Sequence, residues 1–139
     1  MGPRILVVPG LLTLLLLQGG PVTPKELAYP GARRLVESRV LGRELEIEWT
    51  CYATGDALDL VIAHYSHDPR LSPGAWRMGA DERGFQSTAD PELHVAIFLA
   101  RDLPKHSPCN AELSASERTV VQVSLGTRRD PEQPDASWR

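Results

Sequence analysis

Apolar and polar residues alternate strictly over Glu44-Leu-Glu-Ile-Glu-Trp-Thr-Cys51. Leu45, Ile47, Trp49 and Cys51 fall on one side, and Glu44, Glu46, Glu48 and Thr50 on the other. A period of two marks a half-buried strand, here with a carboxylate-rich outer surface and the cysteine sulfur aimed at the core. Leu93–Leu99 alternates in the same way, with Leu93, Val95, Ile97 and Leu99 together. Leu58–Tyr65 (LDLVIAHY) is more continuously apolar and predicts a central strand, stopped by His67-Asp68-Pro69. Cys109-Asn-Ala-Glu-Leu113 and Thr119–Leu125 predict the last two strands, joined by Ser114–Arg118. Ala32–Leu41 fits either a short helix or an edge strand, with Arg33, Arg34 and Arg39 facing water in both cases. Ala53-Thr-Gly-Asp56 is a turn, and Arg70–Ala89, with Pro73, Gly74, Gly79 and Gly84, reads as loops with at most short edge strands, anchored by Trp76 and Phe85.

The N-terminal segment follows another rule. Arg4 precedes the apolar run Ile5–Leu17, and Gln18-Gly19-Gly20 supplies small residues for a peptidase. This is the layout of a cleavable signal peptide over residues 1–20, too short to stay in a bilayer of about 30 Å as an anchor. Residues 21–34 then read as a Pro-rich linker, 35–125 as one folded domain, and 126–139 as a disordered polar tail. No second apolar run is long enough to span a membrane, so the chain as written is expected to be secreted, with no membrane anchor. A soluble form of a longer receptor fits the same pattern.

Composition narrows the picture further. The chain has 139 residues, 42% of them hydrophobic and 24% charged, which is ordinary for one globular domain. A net charge of −3 gives no electrostatic footprint for nucleic acid or an anionic membrane. Twelve prolines and eleven glycines cut the chain into pieces that suit strands and turns. The sole asparagine, Asn110, precedes Ala-Glu, so there is no N-glycosylation sequon. The two cysteines, Cys51 and Cys109, are expected to pair in an oxidising compartment; neither lies in a CxxC pair suited to metal.

In this order the elements resemble an immunoglobulin-like domain over Leu35–Leu125. Cys51 ends an alternating strand, as in strand B of that family, and Cys109 opens a late strand, as in strand F, 58 positions on. Leu93–Leu99 would be strand E and Thr119–Leu125 strand G. The resemblance implies an all-β fold: a single antiparallel β-sandwich whose one disulfide links two sheets. The chain departs from the family in two places. Tyr65, with Ile62 nearby, stands where strand C usually carries tryptophan, and Ser107 replaces the tyrosine expected two residues before the second cysteine, with Asp102 one residue out of register.

Catalytic and metal chemistry find little support. His64, His67 and Asp68 cluster in sequence, but a spacing of three puts the histidines on opposite sides of a strand unless the chain turns, and they read as surface residues. No G-x-S-x-G elbow is present, and both cysteines are committed to the disulfide. The row Glu44, Glu46, Glu48 reads as a solvated strand face. No enzyme activity, cofactor or metal is therefore expected. The expected function is extracellular protein recognition, with an extracellular or cell-surface protein as partner and Trp76, Arg77, Met78 and Phe85 as binding residues. The rival is a secreted signalling factor or prohormone cut at the dibasic pairs Arg33-Arg34 and Arg128-Arg129.

Overall fold

A computed structural model describes residues 22–74 and 83–129. Tyr29-Pro30-Gly31-Ala32 turns the chain into the first strand: the Ala32 N–H donates to the Tyr29 carbonyl at 3.1 Å, and Gly31 takes φ +77°, the left-handed value a type II turn needs at its third residue. Strands β1 (Arg33–Leu41) and β2 (Leu45–Thr54) form a hairpin, and helix α1 (Leu58–Ser66) follows. The chain then meanders through β3 (Leu71–Pro73), β4 (Arg83–Ser87), β5 (Leu93–Leu99) and β6 (Thr119–Arg128). All pairings are antiparallel, and the order β1-β2-β6-β5-β4-β3 makes one six-stranded sheet.

The expected strands at β2, β5 and β6 are present, and Ala32–Leu41 resolves to the edge strand β1. Leu58–Tyr65, expected as a central strand, is instead the helix α1. Leu58, Ile62, Val61 and Tyr65 sit at i, i+4, i+3 and i+7, one helical face, and all four pack into the core, Val61 and Tyr65 fully buried. Cys109–Leu113, expected as a strand, has no regular structure. Cys109 is bonded to Cys51 of β2 and Leu113 packs in the same cluster with Leu35 and Val36, so the segment lies across a face of the sheet rather than along one of its edges. The boundaries move as well: β1 begins at Arg33 inside the expected linker, a 3₁₀ turn over Pro24–Leu27 buries Leu27, and β6 runs on to Arg128. The expected signal peptide and residues 130–139 of the expected tail lie outside the described residues.

Each face of the sheet is covered differently. On one, Val121, Val123, Val95, Ile97, Leu93 and Phe85 pack against α1 and Leu27. This layer is tied by the Tyr65 phenol, which donates to the Leu27 carbonyl at 2.6 Å. On the other, the Cys51–Cys109 disulfide and Val120 form a second cluster with Trp49, Leu35, Val36, Leu103 and Leu113. The disulfide therefore pins the β5–β6 connection onto β2, rather than joining two sheets. No second sheet is found among the described residues: α1 occupies one face and this connection the other.

Candidate functional site

Register decides which side chains share a face, since opposed residues of an antiparallel pair point the same way. Tyr52, Thr50 and Glu48 of β2 oppose Val121, Val123 and Leu125 of β6 and so lie on the α1 side. A β-bulge between Arg34 and Val36 resets β1, after which Glu37 and Arg39 oppose Thr50 and Glu48 on that same side. The apolar layer under α1 is drawn from β4, β5 and β6. The β1–β2 flank carries polar residues instead and is left uncovered by the described helix α1.

A bay of about 670 Å³ results, lined by Thr23 and Lys25 of the N-terminal segment and by Glu37, Arg39, Glu48, Thr50 and Tyr52 of the flank. Its floor carries both signs of charge. The Arg39 guanidinium lies 2.9 Å from the Glu46 carboxylate and 4.0 Å from that of Glu48. Partial burial pushes the Tyr52 phenol above its ordinary pKa, so it stays a neutral donor. Such a surface offers hydrogen bonds, paired charges and one aromatic ring, the features by which a polar protein segment is held.

Away from the bay lining, three polar contacts tie separate segments of the fold together. Arg33 grips Glu117 with two bonds, Nε to Oε2 at 3.0 Å and Nη2 to Oε1 at 2.7 Å, and the Ser114 N–H donates to the same carboxylate at 2.9 Å. Together these hold Glu117 down at a pKa of about 2, the Arg33 bond being the largest cause. Arg70 bridges Asp68 and Glu26, tying the end of α1 to the N-terminal segment, and lowers the Asp68 pKa. The Tyr29 phenol donates to Asp56 at 2.6 Å, which raises it to about 12.

The sequence-predicted site residues fare differently. Cys51 and Cys109 are joined. Trp76, Arg77 and Met78 lie outside the described residues. Phe85 is buried in the core at 6.1 Å from the Tyr65 ring, so in this conformation it offers little to a partner. His64 stacks edge-on to Tyr29 and Tyr65, while His67 Nδ1 is 2.6 Å from the Ala63 carbonyl. Among the described residues no group of three or more His, Cys, Asp or Glu is placed to hold a metal. No helix among them is long and apolar enough to cross a membrane. Both dibasic pairs are engaged in the fold. Arg33 and Arg34 pair with Ala53 and Tyr52 in the ladder, Arg128 pairs with Leu45, and Arg129 donates to the Glu44 and Gly42 carbonyls.

Sequence reasoning missed the bay, although its floor residues Glu48 and Thr50 were on the polar side of the alternation. The missing piece was the helix, whose width relative to the sheet leaves the flank bare. No protein-family model, curated protein or solved structure matches the chain.

Proposed function

We propose that this chain is a secreted protein-recognition module that holds an extracellular or cell-surface protein in the bay on its β1–β2 flank. The observation that carries the reading is the uncovered, mixed-charge floor of Glu37, Arg39, Glu48, Thr50 and Tyr52 beside a rigid disulfide-tied sheet. The disulfide and the apolar, Arg-led leader support an oxidising, extracellular setting. Kinship to immunoglobulin-like domains rests on the cysteine spacing and the β-rich, disulfide-linked architecture; the recognition role does not depend on it. With both cysteines paired, no thiol nucleophile is on offer, and the proposal includes no enzymatic step. Processing at the dibasic pairs is the weaker reading, because all four arginines sit in or against strand ladders.

The test is a cell-surface binding screen with the purified, oxidised protein. Saturable binding is expected, weakened about tenfold or more by Lys25→Glu and by Thr50→Lys, the scale of losing one interface anchor. Absence of saturable binding on every cell surface tried, or binding that both variants leave intact, overturns the reading.

A further inference from the structure

Among the described residues strand β1 is a sheet edge: it pairs with β2 on one side, and no described strand pairs with its other side. The phase of its hydrogen bonds follows from two contacts at the hairpin. The Gly42 N–H donates to the Leu45 carbonyl at 2.8 Å, and on the far side of β2 the Arg129 N–H donates to the Glu44 carbonyl at 2.9 Å. Bonded and non-bonded pairs alternate along an antiparallel ladder. Val40, Ser38 and Val36 therefore spend their backbone groups on β2, while Leu41, Arg39 and Glu37 turn theirs outward.

Residues 35–41 read Leu-Val-Glu-Ser-Arg-Val-Leu, the same apolar pattern in both directions with opposite charges either side of Ser38. We infer that the β1 edge pairs antiparallel with the β1 edge of a second copy of this chain, about a two-fold axis through Ser38. In that register Glu37 faces Arg39 of the other copy twice over, and these are the outward-turned residues, so about four backbone hydrogen bonds form between them. Val36 faces Val40 on the disulfide side, where Val40 is 51% exposed and its ladder neighbour Ile47 is 37% exposed. Neighbouring registers lose this match. An axis through Glu37 sets Glu37 against Glu37, and one through Arg39 sets Arg39 against Arg39. The current partner of Glu37 is easily exchanged, since the Arg34–Glu37 pair, at 3.2 Å, has both side chains about two-thirds exposed and contributes little, while Arg39 is half-exposed beside Glu46 and Glu48 of β2. The bulge between Arg34 and Val36 ends the regular edge, which keeps the pairing short and limits it to two copies.

This inference goes beyond the recognition reading and does not rest on it; Lys25 and Thr50 leave the edge unchanged, so either reading can fail alone. The test is sedimentation equilibrium of the full oxidised protein at concentrations up to about 0.5 mM, where a one-strand interface is populated. The wild type is expected to reach the dimer mass. Glu37→Arg and Arg39→Glu are each expected to remain monomeric, with unchanged circular dichroism and an intact disulfide. An equimolar mixture of the two variants is expected to dimerise again, because each like-charged edge complements the other. A wild type that stays monomeric, as it would if the edge served a strand of another protein, overturns the inference. So does a dimer that either variant leaves intact, or a mixture that remains monomeric.

Discussion

Removing the disulfide with Cys51→Ala/Cys109→Ala perturbs the fold at a defined point. The bridge spans 58 positions, and in the chain-entropy treatment a loop of that length limits the unfolded ensemble by about 14 cal/mol/K, or about 4 kcal/mol at 25 °C. Both cysteines are fully buried and packed with Val120, so truncation to alanine adds about 1 kcal/mol of lost burial. A total near 5 kcal/mol is comparable to the whole stability of a small domain. The loss is also local, since the bridge holds the β5–β6 connection to β2 while the core under α1 contains neither cysteine. Guanidinium denaturation of the oxidised wild type and the double variant measures the total, and hydrogen exchange locates it. The amides of 103–113 are expected to lose protection first. A loss below about 1 kcal/mol, or protection lost equally in β5 and in 103–113, refutes this reasoning.

Other outcomes follow from the same contacts. Tyr65→Phe removes the phenol that satisfies the buried Leu27 carbonyl, and a loss of about 1–3 kcal/mol is expected in urea denaturation, against less than about 1 kcal/mol for Tyr29→Phe, whose partner Asp56 is exposed. Helix α1 makes Leu60, 61% exposed, tolerant of Leu60→Lys, whereas Val61→Ala in the core is expected to cost about 2 kcal/mol; thermal melts that rank these the other way restore the strand reading. Glu117 titrates near 2 in the fold and higher when unfolded, so its stabilising effect is full above the ordinary carboxylate range and is lost as pH falls toward 2; Glu117→Gln is expected to flatten the acid limb of a stability–pH curve. A dibasic-specific convertase is expected to leave the folded protein uncut at Arg33-Arg34 and to cleave it once denatured, as mass spectrometry would show.

Strands β2 and β5 were legible from their period-two apolar positions, which end in the buried Cys51 on the disulfide side and place the buried Leu93, Val95 and Ile97 under α1. Strand β6 is buried without a break over Thr119–Val121 and was legible from its β-branched run instead. The helix was harder to see. Its apolar positions 58, 61, 62 and 65 fit a helical period, but Leu60, exposed in the fold, fills the gap and makes the run look continuous, as a buried strand would. Cys109–Leu113 also suggested a strand, and only the long-range packing of Cys109 on Cys51 and of Leu113 on β1 shows that it crosses a face of the sheet instead. Leu27 illustrates a third limit: one apolar residue between prolines carries no periodicity, yet it is fully buried because Tyr65 and the core under α1 reach it. The bay was hidden for the same reason, since it depends on what a distant element leaves uncovered.

The proposed recognition on the β1–β2 flank places the partner on the bay floor and away from α1. The most direct measurement compares, on one responsive cell line, the binding curves of wild type, Thr50→Lys in the bay floor and Leu60→Lys on the solvent side of α1. Thr50→Lys is expected to shift half-saturation upward by about tenfold while Leu60→Lys overlays the wild type. The opposite pattern, binding lost with Leu60→Lys and kept with Thr50→Lys, would contradict it.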